Sequence, residues 1–296
     1  MAFQIFTDSS SGMSKELRKK LNVEYFRMGV IVNETEYHAD LNYEEYSNDQ
    51  MYEWVKDPKT RLKTSLIAIP EFVERCEPFL KKGIDILYIG CTDALSGSRA
   101  LFEVAVEDLR KQYPDRKLVS INSKRAEMAL GMIVIEACKR RDEGMSMDEV
   151  INWVNDNIQT FHMVGSVGTL SYLKAAGRVS GAAAFFGNMI SLKPMIMADV
   201  HGHNYVYAKV KGVKQSLDES FEYIKRHMVE GLTDTVWVCQ AQCVDKQQYL
   251  KKRIEEELHL HVEEGVIGPI VGISCGPGMF GCFFRGDTVT TDSEKK

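Results

Sequence analysis

The chain has 296 residues, 44% of them hydrophobic and 27% charged, with a formal net charge of −5 at pH 7. This is an ordinary globular composition. Its basic residues are scattered among acidic ones, which argues against a nucleic-acid-binding face, and no apolar run reaches the roughly 18 residues of a membrane-spanning helix. The opening MAFQIFTDSS lacks the charged and apolar regions of a signal peptide. Seven cysteines, an odd count, read as free thiols in a reducing cytoplasm.

In chain order, FQIFTD (3–8) reads as a strand that ends in Asp8-Ser9-Ser10, and SKELRKKL (14–21) as a short helix. YFRMGVIVN (25–33) reads as one further strand. Pro70 suits the first turn of a helix running to Gly83, with Pro78 inside it. DILYIGC (85–91) has the unbroken apolar character of a strand buried on both faces. Leu101, Phe102, Ala105, Val106 and Leu109 make a helical stripe. KLVSIN (117–122) is a strand, and AEMALGMIVIEACKR (126–140) a largely buried helix. This alternation predicts an α/β domain with a parallel sheet.

Ser146 and Glu149 have capping-box spacing ahead of a helix carrying Met147, Ile151, Val154 and Ile158. Beyond residue 160 the pattern changes. Strand-like runs at 161–167, 195–199, 205–210, 235–239 and 281–284 are interspersed with two amphipathic helices. One carries Leu217, Phe221, Ile224 and Met228, the other Leu250, Ile254 and Leu258. The expectation is two domains, residues 1–160 as α/β and residues 161–296 as α+β with a largely antiparallel sheet.

Several loops carry polar chemistry. Ligands of open parallel sheets bind beyond the carboxyl ends of the strands. There CTDALSGS (91–98) follows a strand and opens a helix. Ser96 or Ser98 caps that helix, or its free N–H groups hold an anion that Gly97 lets approach; both readings stand. Asp8-Ser9-Ser10, Thr64-Ser65 and Asn122-Ser123-Lys124 are further small hydroxyl clusters after extended runs. GISCG (272–276) matches the G-x-S-x-G pattern with Ser274 as nominal nucleophile. No histidine follows it, and Gly276-Pro277-Gly278 is a poor helix start, so a hydrolase elbow is not expected.

Cys239/Cys243 and His201/His203 lack a second ligand pair at zinc spacing, so no metal site is expected. DVHGHNYV reads instead as a hairpin turn centred on Gly202. The stretch 169–196 sets Arg178 among glycine and serine and continues into small apolar residues. That run either lines a greasy cavity or packs tightly.

Taken together, FTDSSSGM, KTS (63–65), ALSGSRA, INSKRAEMALG, LSYLKAAGRVSGAAAFFGNMISLKPMI and IGPIVGISCGPGMFG resemble, in order, the motifs of the DegV family of bacterial fatty-acid-binding proteins. The resemblance covers nearly the whole chain. It implies one long-chain fatty acid held between two domains, its carboxylate on the Thr-Ser and Ser-Gly loops and its tail in an apolar tunnel. By this match Thr64 and Ser96 contact the carboxylate, Ser65 and Gly97 shape the pocket, and Ser274 lies near the head group. Ala183, Ala184, Phe186 and Ile190 line the tunnel.

The resemblance also implies a non-catalytic carrier with no cofactor, which presents its lipid to a separate fatty-acid kinase and contacts membranes transiently. Arg178, Lys193 and Lys211 face that partner or a phosphate. The rival reading is a serine-dependent hydrolase or small-molecule transferase using Ser96 or Ser274. The sequence departs from the family pattern at Leu66-Ile67 (often Gln-Pro), Asn122 (usually Asp), Ser274 (often His) and Lys211 (commonly Arg). The change at Ser274 removes a cationic partner for the head group.

Overall fold

The computed structural model describes residues 2–180 and 192–295. The chain divides into two compact units: Met1–Gln50, Lys59–Ile158 and Gly268–Ile270 in the first, and Met51–Pro58, Gln159–Ile267 and Val271–Lys296 in the second. The long passage from one unit to the other falls after Ile158. Two short excursions, 51–58 and 268–270, are not captured by a single boundary near 160.

In the first unit, β1 (Phe3–Asp8), β2 (Val23–Phe26), β6 (Asp85–Gly90) and β7 (Leu118–Asn122) form a four-stranded sheet in the order β2-β1-β6-β7. Every pairing in it is parallel. β1 and β6 are buried along their whole length, so both faces of the sheet are covered, as a parallel sheet requires. Phe6, Phe26 and Tyr88 of the sheet meet Phe72 of α3 (Ile69–Leu80) and Phe102 of α4 (Ser98–Gln112), with ring centroids 4.6–6.1 Å apart. Helix α5 (Glu127–Asp142) packs against β1 and β6 and against α6 (Met147–Asn157). The capping box at α6 is formed: Glu149 N donates to the Ser146 hydroxyl, and Ser146 N to the Glu149 carboxylate at 2.7 Å.

The run 25–33 is not one strand. It splits into β2 and β3 (Gly29–Val32), and β3 joins a separate antiparallel sheet in the order β4-β3-β5, with β4 (Thr35–His38) and β5 (Leu62–Ser65). The break has a side-chain cause. Arg27 N donates to Glu71 Oε1 at 3.1 Å and Met28 N to Ser9 Oγ at 3.0 Å. Both backbone donors are thereby taken from the ladder. The short α1 (Lys15–Lys20) and α2 (Asn48–Lys56) complete this part of the chain.

The second unit is built on a seven-stranded mixed sheet in the order β13-β12-β14-β8-β10-β11-β9. Its strands are β8 (Phe161–Ser166), β9 (Val179–Ser180), β10 (Leu192–Ala198), β11 (Asn204–Lys211), β12 (Thr235–Gln240), β13 (His261–Val266) and β14 (Phe280–Arg285). Only β12/β13 and β11/β9 pair in parallel. α8 (Gly212–His227) sends Leu217, Phe221 and Ile224 into a core shared with Val164, Met195, Val236 and Phe284. α9 (Val244–Arg253) and the π-helical turn after it add Leu250 and Ile254. The turn between β10 and β11 is centred where expected, with Gly202 at φ 90° and Asp199 Oδ1 accepting from the N–H groups of His201 and His203 at 2.9 Å. α7 (Leu170–Ala176) and α10 (Pro269–Cys275) are short.

All seven cysteines are buried, and none forms a disulfide among the described residues. Burial pushes the thiols of Cys76, Cys138 and Cys282 up to about 12. Among the described residues no helix is long and apolar enough to cross a membrane.

The end of β1 is tied to β6 by one buried carboxylate. Asp8 Oδ1 accepts from Ser10 N at 3.0 Å and Ser10 Oγ at 2.6 Å, and Oδ2 accepts from Tyr88 Oη and Cys91 N at 2.8 Å each. Removing it leaves four buried donors unpaired. Asp8→Ala is expected to cost about 3–5 kcal/mol and Asp8→Asn less, since an amide oxygen still accepts. Chemical denaturation checks this as a fall in midpoint at unchanged slope; an Asp8→Ala midpoint equal to the parent's would contradict it.

Candidate functional site

The loop after β6 is folded by its own side chains. Thr92 O accepts from Leu95 N at 3.0 Å and Ser96 N at 3.1 Å, while Thr92 Oγ1 accepts from Ala94 N. Arg99 clamps Asp93, with Nε 2.9 Å from Oδ1, and reaches Ser120. The loop then enters the 15-residue helix α4 at Gly97, an N-cap without a side-chain cap bond. Ser96 Oγ donates to Ser98 Oγ at 3.0 Å and accepts from Ser98 N at 3.3 Å. Ser98 Oγ accepts from Ile67 N at 3.3 Å. So Ser98 is spent on the chain after β5, whereas Ser96 stays half-buried and its rotatable hydroxyl can turn its proton from Ser98 Oγ to an incoming acceptor.

That last bond places two candidate segments side by side. Thr64 and Ser65 are the final residues of β5, not members of a loop, and the chain runs directly past the start of α4. A Cβ on Gly97 would lie 3.6 Å from the Leu66 side chain. Successive strand residues face opposite sides, and the two hydroxyls diverge accordingly. Ser65 Oγ donates to Glu36 Oε1 of β4 at 3.1 Å, and it occupies the space that a side chain at Gly29 would need. Thr64 is half-buried and makes no side-chain hydrogen bond among the described residues. Thr64 and Ser96–Gly97 therefore lie on neighbouring segments, with Ser65 turned toward β4. Asn122 Oδ1 accepts from Lys124 N at 2.9 Å and more distantly from Asp93 N, which pins the third hydroxyl loop to the second.

The second unit carries the remaining candidates. Ser274 lies in the last turn of α10, ahead of strand β14. A nucleophile elbow needs the serine at a strand-to-helix turn, so the G-x-S-x-G match is not an elbow. Arg178 is exposed and donates to Ala176 O at 2.6 Å. Lys193 Nζ donates to Gly168 O at 2.6 Å, and burial, then the nearby Lys246 charge, lowers its pKa. Lys246 makes the matching bond to Gly278 O at 2.7 Å. Lys211 is exposed at the N-cap of α8. Ala183, Ala184, Phe186 and Ile190 lie outside the described residues.

One residue escaped the sequence reading. Glu127, the first residue of α5, is 2% exposed and holds φ at 52°, the left-handed region. That conformation costs an L-residue about 1–2 kcal/mol. Its N–H donates to Ser10 O at 2.7 Å and its Oε1 accepts from Gly268 N at 3.3 Å, while Oε2 has no hydrogen-bond partner among the described residues. The available signal was an acid alone in the apolar run AEMALGMIVI. Burial pushes this carboxyl up to about 8.

The four-stranded parallel sheet and the mixed seven-stranded sheet define a two-unit α/β protein. A family model described as "Uncharacterised protein, DegV family" matches residues 2–287. The chain belongs to the DegV family. It is 31% identical over 287 residues to a DegV domain-containing protein of Clostridium perfringens, covering 97% of this chain and 98% of that one. Its fold is similar to a DegV family protein from Thermus thermophilus described by its fatty acid binding, with TM-score 0.86, 22% identity, and 97% and 100% of the two chains covered. It is also similar to a stearic acid-binding protein from Eubacterium ventriosum, with TM-score 0.83, 20% identity, and 96% and 98% covered.

Glu127 generates a pH prediction. Its carboxyl is raised from 4.5 to about 8 in the folded chain, so the unfolded chain gives up the proton first. Stability therefore falls as pH rises from about 4.5 through about 8, by on the order of 4 kcal/mol at 1.36 kcal/mol per pKa unit. Glu127→Gln removes the titration. It is expected to be more stable than the parent at pH 8 and to have a flatter profile from pH 5 to 8. Parallel parent and variant profiles in urea denaturation would contradict the assignment.

Proposed function

We propose that this chain is a non-catalytic lipid carrier that binds one long-chain fatty acid. The carboxylate is held by Thr64 and by Ser96–Gly97 at the start of α4. The observation that carries the reading is the adjacency of Thr64's segment to the Ser96–Gly97 turn, fixed by the Ile67–Ser98 bond. A half-buried threonine hydroxyl, a serine hydroxyl and a helix N-terminus together satisfy a carboxylate without a formal cation. Family membership and the fatty acids described for relatives with this fold support the same ligand.

The energetics divide the work. Burying methylenes gives about 0.8 kcal/mol each, so fifteen give roughly 12 kcal/mol before ordering costs. The head need only avoid being an unpaired buried charge. In this reading residues 1–160 supply the head-group hydroxyls. The tail is buried in an apolar tunnel, which the family resemblance assigns to Ala183, Ala184, Phe186 and Ile190. The carrier works in the cytoplasm, exchanges lipid with membranes transiently, and presents the carboxylate to a separate fatty-acid kinase. Arg178, Lys193 and Lys211 face that partner or the phosphoryl group. A lysine at 211 meets phosphate as a point charge, where an arginine would fork it.

Fatty-acid affinity of variants tests the site. Ser96→Ala and Thr64→Val are each expected to weaken palmitate binding by about 1–3 kcal/mol, and the double variant by more. Unchanged affinity in all three would remove these residues from the head-group site. Ala184→Trp is expected to exclude long chains while the protein stays folded. Parent-like palmitate binding in that variant would place the tunnel elsewhere. Covalent labelling of Ser96 or Ser274 by a serine-reactive probe would favour the hydrolase reading instead.

A further inference from the structure

We infer that His162, His227 and Asp287 form a reversible binding site for one divalent transition-metal ion, with zinc the occupant their chemistry favours. The three residues belong to the second unit. His162 lies on β8, His227 is the last residue of α8, and Asp287 follows β14. They are 60 and 125 positions apart along the chain, so no spacing motif announces them. His162 Nε2 is 3.2 Å from Asp287 Oδ1, and His227 Nδ1 is 3.0 Å from the same oxygen. All three ligand atoms lie within 4.8 Å of one another. Tetrahedral zinc with bonds of about 2.0–2.1 Å sets its ligand atoms about 3.3 Å apart. The two His–Asp spacings are close to that value, and an ion on His162 Nε2 takes the place of the Asp287 carbonyl, which accepts from that nitrogen at 2.8 Å and has to turn aside.

Each ligand is also held from behind, as metal ligands need to be. The His162 ring stacks on Phe284 at 4.9 Å and 15°, and its Nδ1 is 3.0 Å from Tyr223 Oη. With metal on Nε2, Nδ1 carries the proton and donates it to the tyrosine oxygen. The His227 ring packs on Tyr223 at 4.3 Å. Gly286 N donates to Thr160 O at 2.8 Å and Asp287 N to His227 O at 2.9 Å, and Val289 N to Gln159 O at 2.9 Å, which fixes the chain before and after the carboxylate's attachment. The His162 side chain is 1% exposed, but those of His227 and Asp287 are 32% and 48% exposed. Solvent can therefore deliver an ion and fill the fourth position.

Two imidazole nitrogens and one carboxylate suit zinc or its neighbours, not magnesium or calcium. Without metal the same atoms satisfy one another. His162 Nε2–H donates to Asp287 O at 2.8 Å, and His227 Nδ1–H donates to the carboxylate. Loading therefore swaps tautomers: the proton of His162 passes from Nε2 to Nδ1, and that of His227 from Nδ1 to Nε2. Each ring keeps one proton. The ion would clasp the ends of β8, α8 and β14, and the inference stands apart from any lipid in the protein.

The test titrates the EDTA-stripped full-length protein with zinc against a chromophoric chelator, and with cobalt(II). One equivalent per chain with tetrahedral cobalt absorption is expected. His227→Gln and Asp287→Asn should each lower affinity at least tenfold, and Tyr223→Phe about tenfold, while His201→Gln leaves it unchanged. Nitrogen-15 histidine spectra of the parent should show His162 exchanging its protonated nitrogen on loading, a readout that stands if a variant fails to fold. Absence of stoichiometric binding, affinity indifferent to both ligand substitutions, or an unchanged His162 tautomer would overturn the site.

Discussion

The first unit depends on a buried carboxylate. Asp8 sits at the carboxyl end of β1 with no exposed surface, a costly place for a charge unless it is fully hydrogen-bonded. Its two oxygens take four donors: two from the Ser10 turn, one from the Tyr88 phenol and one from the Cys91 backbone. Burial, with Asp8 alongside, raises the Tyr88 phenol well above its ordinary range and keeps it a donor. Because Cys91 begins the loop that leads to Ser96, this network fixes where that loop leaves the sheet. From there Thr92 turns the chain, and Ser98 binds the backbone beyond Thr64.

Such an arrangement favours recognition by neutral donors. A cation at the head group would bind more strongly but would itself need desolvation. Hydroxyls and helix N–H groups are fixed dipoles that satisfy a carboxylate and leave its charge uncompensated. In the second unit the cations are held differently, with Lys193 and Lys246 each tethered to a glycine-loop carbonyl.

Much of this was legible in the sequence because it is written in local pattern. The apolar runs of β1 and β6, the stripe of α4, the Ser146 capping box and the Gly202 hairpin rest on neighbouring residues. What escaped depends on distant ones. Nothing in YFRMGVIVN announces that Glu71 and Ser9 capture two of its backbone donors and split it between sheets. Thr64 and Ser65 were visible as a hydroxyl pair. Their divergence follows from β5 continuing to its last residue and from Glu36 drawing Ser65 aside. The left-handed backbone at Glu127 and the convergence of His162, His227 and Asp287 are tertiary facts with no periodic trace.

The central claim is that this fold carries a lipid. Native mass spectrometry of the freshly purified protein, followed by solvent extraction, tests it most directly. The account expects one molecule of a long-chain fatty acid per chain, released on denaturation and restored by added palmitate. A protein that is empty as isolated and takes up no fatty acid when palmitate is supplied would contradict it.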